Sequence, residues 1–417
     1  MLYERWRQIA RNHASETALW DLNSGESWTF QGLDRAAESA TDPDNPLVFA
    51  GGRGIGFVIS LLNAWRKGRA FCPLDTGQPA LEVPPPPPGI AHLKTTSAST
   101  GAPRAVAFTG EQLAADAENI VRTMGLRPDW PNLGVISVAH SYGFSNLVLP
   151  LLLHGIPLLL AKGAFPETVR QALALRDSVT LPAVPALWRT WHDAGMLSAR
   201  VRLAISAGAP LPVELERAVH QSSGLKIHNF YGATECGGIA YDASSEPRAD
   251  ANFVGQPMRG VEPGIDDRGC LEVRSRAVGE TYWPVPDPAL GGGVFRTTDE
   301  AELREAGVFL RGRAGDVINV AGRKVAPERI EARLRAHSAV RECVVFGAPG
   351  RDEVRAEVIV ACVSSADEVT AAGLREFLAE DLAPWEIPRE WWFVPGLNAN
   401  ERGKLSRAEW RRRWEEK

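Results

Sequence analysis

Short apolar runs alternate with amphipathic stretches along most of this chain, and the alternation limits the folds that it can adopt. An apolar run at 47–51 precedes an amphipathic stretch at 56–67, and a helical pattern at 111–124 precedes strand-like runs at 134–138 and 201–206. Strands that alternate with helices build sheets covered by helices. The sequence therefore predicts an α/β fold, and its 417 residues are enough for two or three domains with a substantial core.

Two features divide the chain. Five consecutive prolines, Pro84 to Pro88, cannot enter a helix or a central strand, so they predict a stiff extended connector after a first segment, 1–83. After Gly312 the pattern changes to that of a small α+β domain, with a helix from 327 to about 337, strands at 342–346 and 356–363, and a helix near 372–379. We expect one domain over 1–312 and a second over 313–417.

The composition excludes several classes of protein. A net charge of −5 gives no electrostatic reason to expect a nucleic-acid partner. The five cysteines are odd in number and form no CxxC pair, which is typical of reduced thiols in the cytoplasm. The first residues show no apolar run of signal-peptide length, and the strongest apolar stretch, 147–160, is interrupted by Pro150 and Pro157, so we expect neither a signal peptide nor a membrane span.

A polar loop at 94–104, with the sequence KTTSASTGAPR, places hydroxyl groups and glycine where a backbone could surround a phosphate. Its hydroxyls and N–H groups can point at one anion, and the arginine adds positive charge. The candidate phosphate ligands are Thr96, Ser97, Ser99, Thr100, Gly101 and Arg104. Taken alone, a polar loop of this composition is more often a plain surface turn.

Four further motifs follow this loop in a fixed order: YGATE at 231–235, TTD at 297–299, GR at 312–313 and GK at 403–404. Together with the loop they resemble the adenylate-forming (AMP-binding) superfamily, which includes acyl-CoA synthetases, aryl-CoA ligases, luciferases and the adenylation domains of peptide synthetases. The resemblance covers nearly the whole chain. It implies a large α/β N-terminal domain of several subdomains, here with a shortened N-terminal region, and a small mobile α+β C-terminal domain.

The resemblance also implies a reaction. Such an enzyme uses ATP and Mg²⁺ to form an acyl-adenylate with release of pyrophosphate, and then transfers the acyl group to the thiol of CoA or of a carrier-protein phosphopantetheine. Its partners would be a small carboxylic acid and, as one option, an acyl carrier protein. A monomer and a homodimer are both compatible with the sequence.

Residue roles follow from the chemistry of a carboxylate that attacks the α-phosphorus, where like charges must be neutralised and held in line. The family's catalytic lysine corresponds to Lys404, which would bridge the substrate carboxylate and the α-phosphate. Glu235 would hold Mg²⁺ and Thr234 would donate to the α-phosphate. Asp299 can accept from two ribose hydroxyls, and Arg313 can reach ribose or phosphate. The remaining nucleotide contacts that the resemblance implies are Gly208, Ala209, Pro210, Asn229, Phe230, Tyr231, Gly232 and Ala233.

The acyl pocket is predicted around 139–144, with the sequence AHSYGF. Relatives that activate amino acids carry an aspartate in the comparable segment, so its absence here favours a fatty or aryl acid. The pocket residues would be His140, Tyr142, Gly237 and Gly238. His140 is as readily explained as a structural histidine with satisfied hydrogen bonds.

In the family, a rotation of the small domain brings a glycine-containing loop to the thiol tunnel, and Gly322 corresponds to that glycine. Three positions depart from the usual pattern: Ala98 and Thr298 stand where glycine is usual, and Gly315 occupies the hinge position. The first two add a Cβ near the nucleotide, and glycine loosens a hinge. Two alternatives therefore stay open, an amino-acid-adenylating enzyme and a non-catalytic nucleotide-binding relative.

Overall fold

The computed structural model describes the chain except for residues 42–44, 52–53, 76–77, 97–103, 321–322, 350–356, 366–368 and 398–405. A π-helical turn, Phe144–Val148, lies between the fifth and sixth helices. The α-helices, in chain order, are α1 (Leu2–Asn12), α2 (Phe30–Ser39), α3 (Ile55–Arg66), α4 (Gly110–Met124), α5 (Ser141–Gly143), α6 (Leu149–His154), α7 (Pro166–Ala174), α8 (Pro185–Asp193), α9 (Val213–Ser223), α10 (Pro327–Arg335), α11 (Ala371–Ala379) and α12 (Arg407–Glu415).

The strands belong to several sheets. In chain order they are β1 (Thr17–Asp21), β2 (Glu26–Thr29), β3 (Leu47–Gly51), β4 (Ala70–Leu74), β5 (Ile90–Thr95), β6 (Ala105–Thr109), β7 (Asn132–Gly134), β8 (Leu158–Leu160), β9 (Val179–Ala183), β10 (Val201–Ser206), β11 (Ile227–Ala233), β12 (Gly237–Tyr241), β13 (Phe253–Pro257), β14 (Val261–Ile265), β15 (Cys270–Ser275), β16 (Thr281–Trp283), β17 (Leu290–Gly291), β18 (Val294–Arg304), β19 (Gly307–Arg313), β20 (Ile318–Val320), β21 (Arg323–Val325), β22 (Val340–Pro349), β23 (Glu357–Ser365) and β24 (Glu390–Phe393).

The largest sheet confirms the predicted α/β class. Its parallel part runs in the order β11-β10-β9-β7-β8-β1, and its antiparallel part continues from β11 through β12, β13, β19, β18 and β15 to β14. On β10, Leu203 and Ile205 join one core cluster and Ala204 joins the other, so apolar side chains cover both faces. Strands buried on both faces are typical of parallel sheets with helices on each side.

A second sheet, in the order β16-β6-β5-β4-β3, carries the predicted phosphate loop. Strands β5 and β6 pair antiparallel with Thr95 opposite Ala105. Beyond that pair, the N–H of Thr96 donates to the carbonyl of Arg104 at 2.8 Å. The two ends of the loop are therefore held together by a hairpin.

The C-terminal residues form a small α+β unit with its own core. Strands β22, β23 and β24 form one sheet, and β20 pairs with β21. Ile330 and Leu334 of α10 pack with Leu374 and Leu378 of α11 against this sheet. Pro327 stands at the start of α10, where its missing N–H costs no hydrogen bond. The predicted boundary at 312–313 falls at the end of β19.

One predicted strand is shorter than expected. The strand-like run at 134–138 contributes only its first residue to β7, which ends at Gly134. The chain then turns, and the hydroxyl of Ser137 donates to Asp75 Oδ1 at 2.6 Å. The apolar stretch at 147–160 packs into the core instead of forming one long helix. Within the described ranges, no helix has the length and apolar character needed to cross a membrane.

Candidate active site

The ends of two parallel strands form one wall of the site. β10 pairs with β11 so that Ser206 lies opposite Asn229, and the chain leaves β10 through Gly208 at a φ of +86°. This conformation favours glycine. Ligands of open α/β sheets bind beyond the carboxyl ends of such strands. Residues 208–210 are partly or fully exposed at this edge of the sheet, where such ligands bind.

Two predicted nucleotide contacts on β11 point into the protein. Asn229 is buried, and its amide donates to the carbonyl of Val254 at 3.1 Å, which ties β11 to β13. Phe230 is buried as well, with its ring 5.9 Å from that of Tyr142. In this arrangement their side chains support the wall from behind.

Tyr231, Asp299 and Arg313 form a hydrogen-bonded cluster. Asp299 on β18 lies opposite Arg313 on β19, and the guanidinium Nε donates to Asp299 Oδ1 at 2.8 Å. The hydroxyl of Tyr231 donates to Asp299 Oδ2 at 2.5 Å. Burial, and then the adjacent carboxylate, raises the pKa of Tyr231 well above its ordinary value, so Tyr231 remains a neutral donor. The charge of Asp299 raises the pKa of Arg313.

This cluster brings together three residues that are far apart in the sequence. Each oxygen of Asp299 already has one protein donor, and a carboxylate oxygen can accept a second hydrogen bond. Asp299 is thus oriented by its neighbours and retains acceptor capacity for two hydroxyl groups.

Glu235 lies in the tight turn between β11 and β12. Glycine is required at Gly232, because a Cβ there would come within 2.6 Å of the carbonyl oxygen of Gly237. The hydroxyl of Tyr282 donates to Glu235 Oε1 at 3.0 Å. Thr234 and Glu235 are both half-buried at this turn, and Ala233 ends β11 beside it.

Tyr282 also connects this turn to the phosphate loop. It lies on β16 opposite Val106 of β6, and the guanidinium of Arg104 stands 5.4 Å from its ring centroid. Arg104 also donates to Asp287 Oδ2 at 3.0 Å. Burial, and then the charge of Glu235, raises the pKa of Tyr282, so it too is a neutral donor. Nothing in the local sequence marked Tyr282 as part of the site.

A carboxylate that the sequence reasoning missed lies in the predicted acyl pocket. His140 Nε2 is 2.5 Å from Asp75 Oδ2, and Asp75 also accepts from Ser137. The hydroxyl of Tyr142 donates to the carbonyls of Ile205 and Ala183, at 3.2 and 3.4 Å. Asp75 lies 65 residues before His140 in the sequence, which explains why the segment 139–144 alone did not reveal it.

Gly237 and Gly238 are buried on β12. A Cβ at Gly237 would overlap the carboxylate of Asp116, and one at Gly238 would overlap Met258 and lie 2.8 Å from the Phe230 ring. Close packing therefore accounts for glycine at both positions.

Some predicted site residues lie outside the described residues. They are Ser97, Ala98, Ser99, Thr100, Gly101, Gly322 and Lys404. Their roles stay predictions. Gly315 is described, and a side chain at this position would meet no neighbouring atom.

The five cysteines are all buried and free. Burial raises the pKa of Cys72, Cys343 and Cys362 to about 12. It also raises the pKa of Cys236, the neighbour of Glu235, with the nearby carboxylates adding to the effect. A buried thiol that stays protonated is a poor nucleophile.

We therefore expect native protein to react with less than one equivalent of 5,5′-dithiobis(2-nitrobenzoate), and denatured protein to react with five. The measurement is the absorbance of the released thionitrobenzoate with and without guanidinium chloride. Rapid labelling of Cys236 in the native protein would contradict the inert role given to it.

Two protein-family models match this chain. Residues 67–284 match the model described as AMP-binding enzyme, and residues 329–404 match that of the AMP-binding enzyme C-terminal domain.

Curated relatives include three ligases. The anthranilate–CoA ligase of Pseudomonas aeruginosa is 30% identical, and the alignment covers 78% of this chain and 67% of the relative. The mitochondrial malonate–CoA ligase of Mus musculus is 25% identical, with 76% and 64% covered. The 4-hydroxybenzoate–CoA/benzoate–CoA ligase of Rhodopseudomonas palustris is 27% identical, with 76% and 63% covered. The chain thus spans about two thirds of the length of these relatives.

Solved structures share the fold. ATP-bound MatB from Rhodopseudomonas palustris superposes with a TM-score of 0.86 at 19% identity, over 99% of both chains. The o-succinylbenzoate CoA synthetase of Bacillus subtilis, in complex with the acyl-adenylate intermediate OSB-AMP, superposes with a TM-score of 0.85 at 19% identity, over 97% of both chains. These similarities confirm the predicted fold, with its large N-terminal and small C-terminal domains.

Proposed function

This chain belongs to the AMP-binding enzyme family, and from that membership we propose that it joins a carboxylic acid to a thiol with the use of ATP. A carboxylate oxygen attacks the α-phosphorus, the bond from that phosphorus to the bridging oxygen breaks, and pyrophosphate leaves. The thiol sulfur then attacks the acyl carbonyl carbon, gives up its proton, and displaces AMP. The observation that carries the proposal is the cluster of Tyr231, Asp299 and Arg313 beside the Glu235 turn.

Each part of this arrangement suits a nucleoside triphosphate. Asp299 would accept from the ribose hydroxyls, while Tyr231 and Arg313 hold its carboxylate in one orientation. Arg104 at the end of the phosphate loop would supply positive charge to the phosphates, with the loop residues Ser97, Ser99, Thr100 and Gly101 around them. Lys404 would neutralise the attacking carboxylate and the α-phosphate together.

Glu235 fits a magnesium ligand. Mg²⁺ usually takes one or two protein carboxylates and completes its shell with phosphate oxygens and water. The Glu235 carboxylate is held by Tyr282 through one oxygen, next to the phosphate loop, and this matches such a ligand set. When bound, the ion would neutralise charge on the phosphates.

An aryl acid is the substrate class that we propose first, with CoA as the acceptor. Two of the relatives described above are named for aromatic acids, and Tyr142 and Phe230 bring aromatic rings together beside the predicted pocket. Ser137 donates to Asp75, and His140 Nε2 lies 2.5 Å from its other oxygen, so this carboxylate already has structural partners within the segment. These contacts favour a role for Asp75 in orienting His140, and with it a carboxylic acid without an α-amino group.

The test is acid-dependent release of pyrophosphate from ATP across aryl, fatty and amino acids, repeated with CoA and with phosphopantetheinyl carrier protein. We expect release with an aryl acid and its stimulation by CoA. Stimulation by carrier protein but not by CoA would identify the carrier-protein thiol as the acceptor. If the protein binds ATP but none of the acids causes release of pyrophosphate, this result would contradict a ligase and favour the nucleotide-binding alternative.

The contact between Tyr282 and Glu235 gives a further prediction. Tyr282→Phe removes the donor that holds the carboxylate, so we expect the Mg²⁺ concentration for half-maximal rate to rise about fivefold to tenfold, as the loss of one hydrogen bond implies. The measurement is the initial rate of pyrophosphate release against Mg²⁺ at fixed ATP.

The matched control is Tyr3→Phe. Tyr3 is also buried and donates to a carboxylate, Asp34, at 3.4 Å, but it lies on α1 away from the site. Equal Mg²⁺ dependence of both variants and wild type would rule out the positioning of Glu235 by Tyr282.

A further inference from the structure

A buried ion pair lies two residues before Thr96, where the phosphate loop begins. Lys94 Nζ on β5 is 3.2 Å from Asp116 Oδ2 on α4, and each side chain is only 1% exposed. Ser145, in the π-helical turn, accepts from Lys94 Nζ at 2.9 Å and donates to Asp116 Oδ2 at 2.6 Å. We refer to Lys94, Asp116 and Ser145 as the Lys94 cluster.

The charged groups of the cluster contact one another and their immediate neighbours. The ammonium of Lys94 contacts Asp116, Ser145 and the face of the Phe108 ring, 4.6 Å from its centroid. Asp116 Oδ1 accepts from the N–H of Gly238 at 3.4 Å. Burying two charges is costly, and well-packed apolar residues of similar volume are often equally stable or more so. Stability alone therefore does not account for these residues.

The three members come from segments that surround the proposed reaction. Lys94 precedes the phosphate loop on the same strand. Asp116 packs against Gly237 and Gly238, which directly follow the Glu235 turn. Ser145 follows the acyl-pocket segment 139–144 and is the second residue of the π-helical turn, a geometry that occurs often at functional sites.

We propose that the Lys94 cluster is a positioning device, which fixes the end of β5 ahead of the phosphate loop, the Glu235 turn and the acyl-pocket segment relative to one another for the adenylation step. The proposal rests on the proposed function. Hydrogen bonds are directional, whereas the hydrophobic effect is not, so a hydrogen-bonded cluster specifies the relative orientation of the three segments more narrowly. In-line attack is sensitive to such shifts, because a misplacement of about 1 Å can cost on the order of a hundredfold in rate.

The experiment separates positioning from stability. The double variant Lys94→Met/Asp116→Leu removes both charges and keeps similar volume, so we expect its thermal midpoint to stay within a few degrees of wild type. We expect its kcat/KM for ATP in acid-dependent pyrophosphate release to fall at least about tenfold. The ATP-induced rise in thermal midpoint should shrink as well, and this readout needs no acid substrate.

A milder variant covers the case in which the double variant does not fold. Ser145→Ala removes only the directional bridge, and we expect a KM for ATP raised about threefold to tenfold with an unchanged midpoint. Ser364→Ala is the matched control, because Ser364 is buried in the small domain and its hydroxyl donates to the carbonyl of Pro395 at 3.1 Å. We expect that control to leave the KM unchanged.

The outcomes are distinct. Wild-type kinetics and wild-type ATP stabilisation in the folded double variant, or in Ser145→Ala if the double variant does not fold, would overturn the positioning role. If wild-type protein binds ATP but no acid causes it to release pyrophosphate, the ligase proposal fails. The ATP-induced rise in thermal midpoint then still decides whether the cluster positions the nucleotide-binding segments. Wild-type protein that does not bind ATP would overturn both.

Discussion

Replacing Lys404 by alanine is expected to abolish acyl-adenylate formation while leaving thioester formation from a preformed acyl-adenylate intact. The lysine would neutralise charge only where the substrate carboxylate meets the α-phosphate, and that contact no longer exists once the adenylate is made. Loss of one such electrostatic stabiliser typically costs about 10²- to 10³-fold in kcat. The two steps are measured separately, by pyrophosphate release and by CoA consumption from synthetic acyl-adenylate.

A second lysine of the same domain serves as the control. Lys417 is exposed and lies 5.0 Å from the Trp392 ring centroid, on a surface formed by the C-terminal helix. We expect Lys417→Ala to leave both half-reactions unchanged. If Lys404→Ala slows both half-reactions alike, its role is not specific to adenylation.

The fold was predictable from the sequence because its signals are local. The strand predicted at 201–206 is β10, with the same bounds, and the chain leaves it through a glycine, as the pattern of an open α/β sheet requires. The helix predicted at 111–124 is α4, which begins one residue earlier with a Thr109 cap. Apolar periodicity and helix caps span a few residues each, so a single sequence shows them.

The contacts that orient the site could not be read in the same way. Tyr282 and Glu235 are separated by 47 residues, and Lys94 and Asp116 by 22. The sequence around each residue does not indicate which distant residue it contacts. Such pairs form only when strands from different parts of the chain come together. One signal was available in part, since Lys94 directly follows the apolar Leu93 in β5, and a charge buried in a strand requires a partner.

The structure also bears on one departure from the family's pattern. Thr298, where glycine is usual, lies within β18 with its side chain exposed. An extended strand accommodates a Cβ without strain, so this threonine is no obstacle to the position of Asp299. Thr298 also accepts through its carbonyl from the N–H of Ala314 at 2.8 Å, which helps to hold the end of β19 beside β18.

We expect Asp299→Asn to raise the KM for ATP roughly 30- to 100-fold, with a smaller effect on kcat. The amide keeps one acceptor oxygen and loses the other along with its charge, and a hydrogen bond to a charged acceptor contributes about 2–3 kcal/mol. Arg313 also loses its carboxylate partner, which loosens the cluster that orients this position. Initial rates of pyrophosphate release against ATP give both constants.

Asp266→Asn is the matched control, since Asp266 pairs with Arg268 at 2.7 Å on the turn before β15 and has no place in the site.

A comparison of ATP with 2′-deoxy-ATP tests directly whether Asp299 binds the ribose. Wild type should discriminate against 2′-deoxy-ATP, whereas Asp299→Asn should discriminate less, because the interaction that the missing hydroxyl would make is already weakened in the variant. Undiminished discrimination by the variant would mean that the ribose is recognised elsewhere, and Asp299 would then serve only to pair β18 with β19 through Arg313.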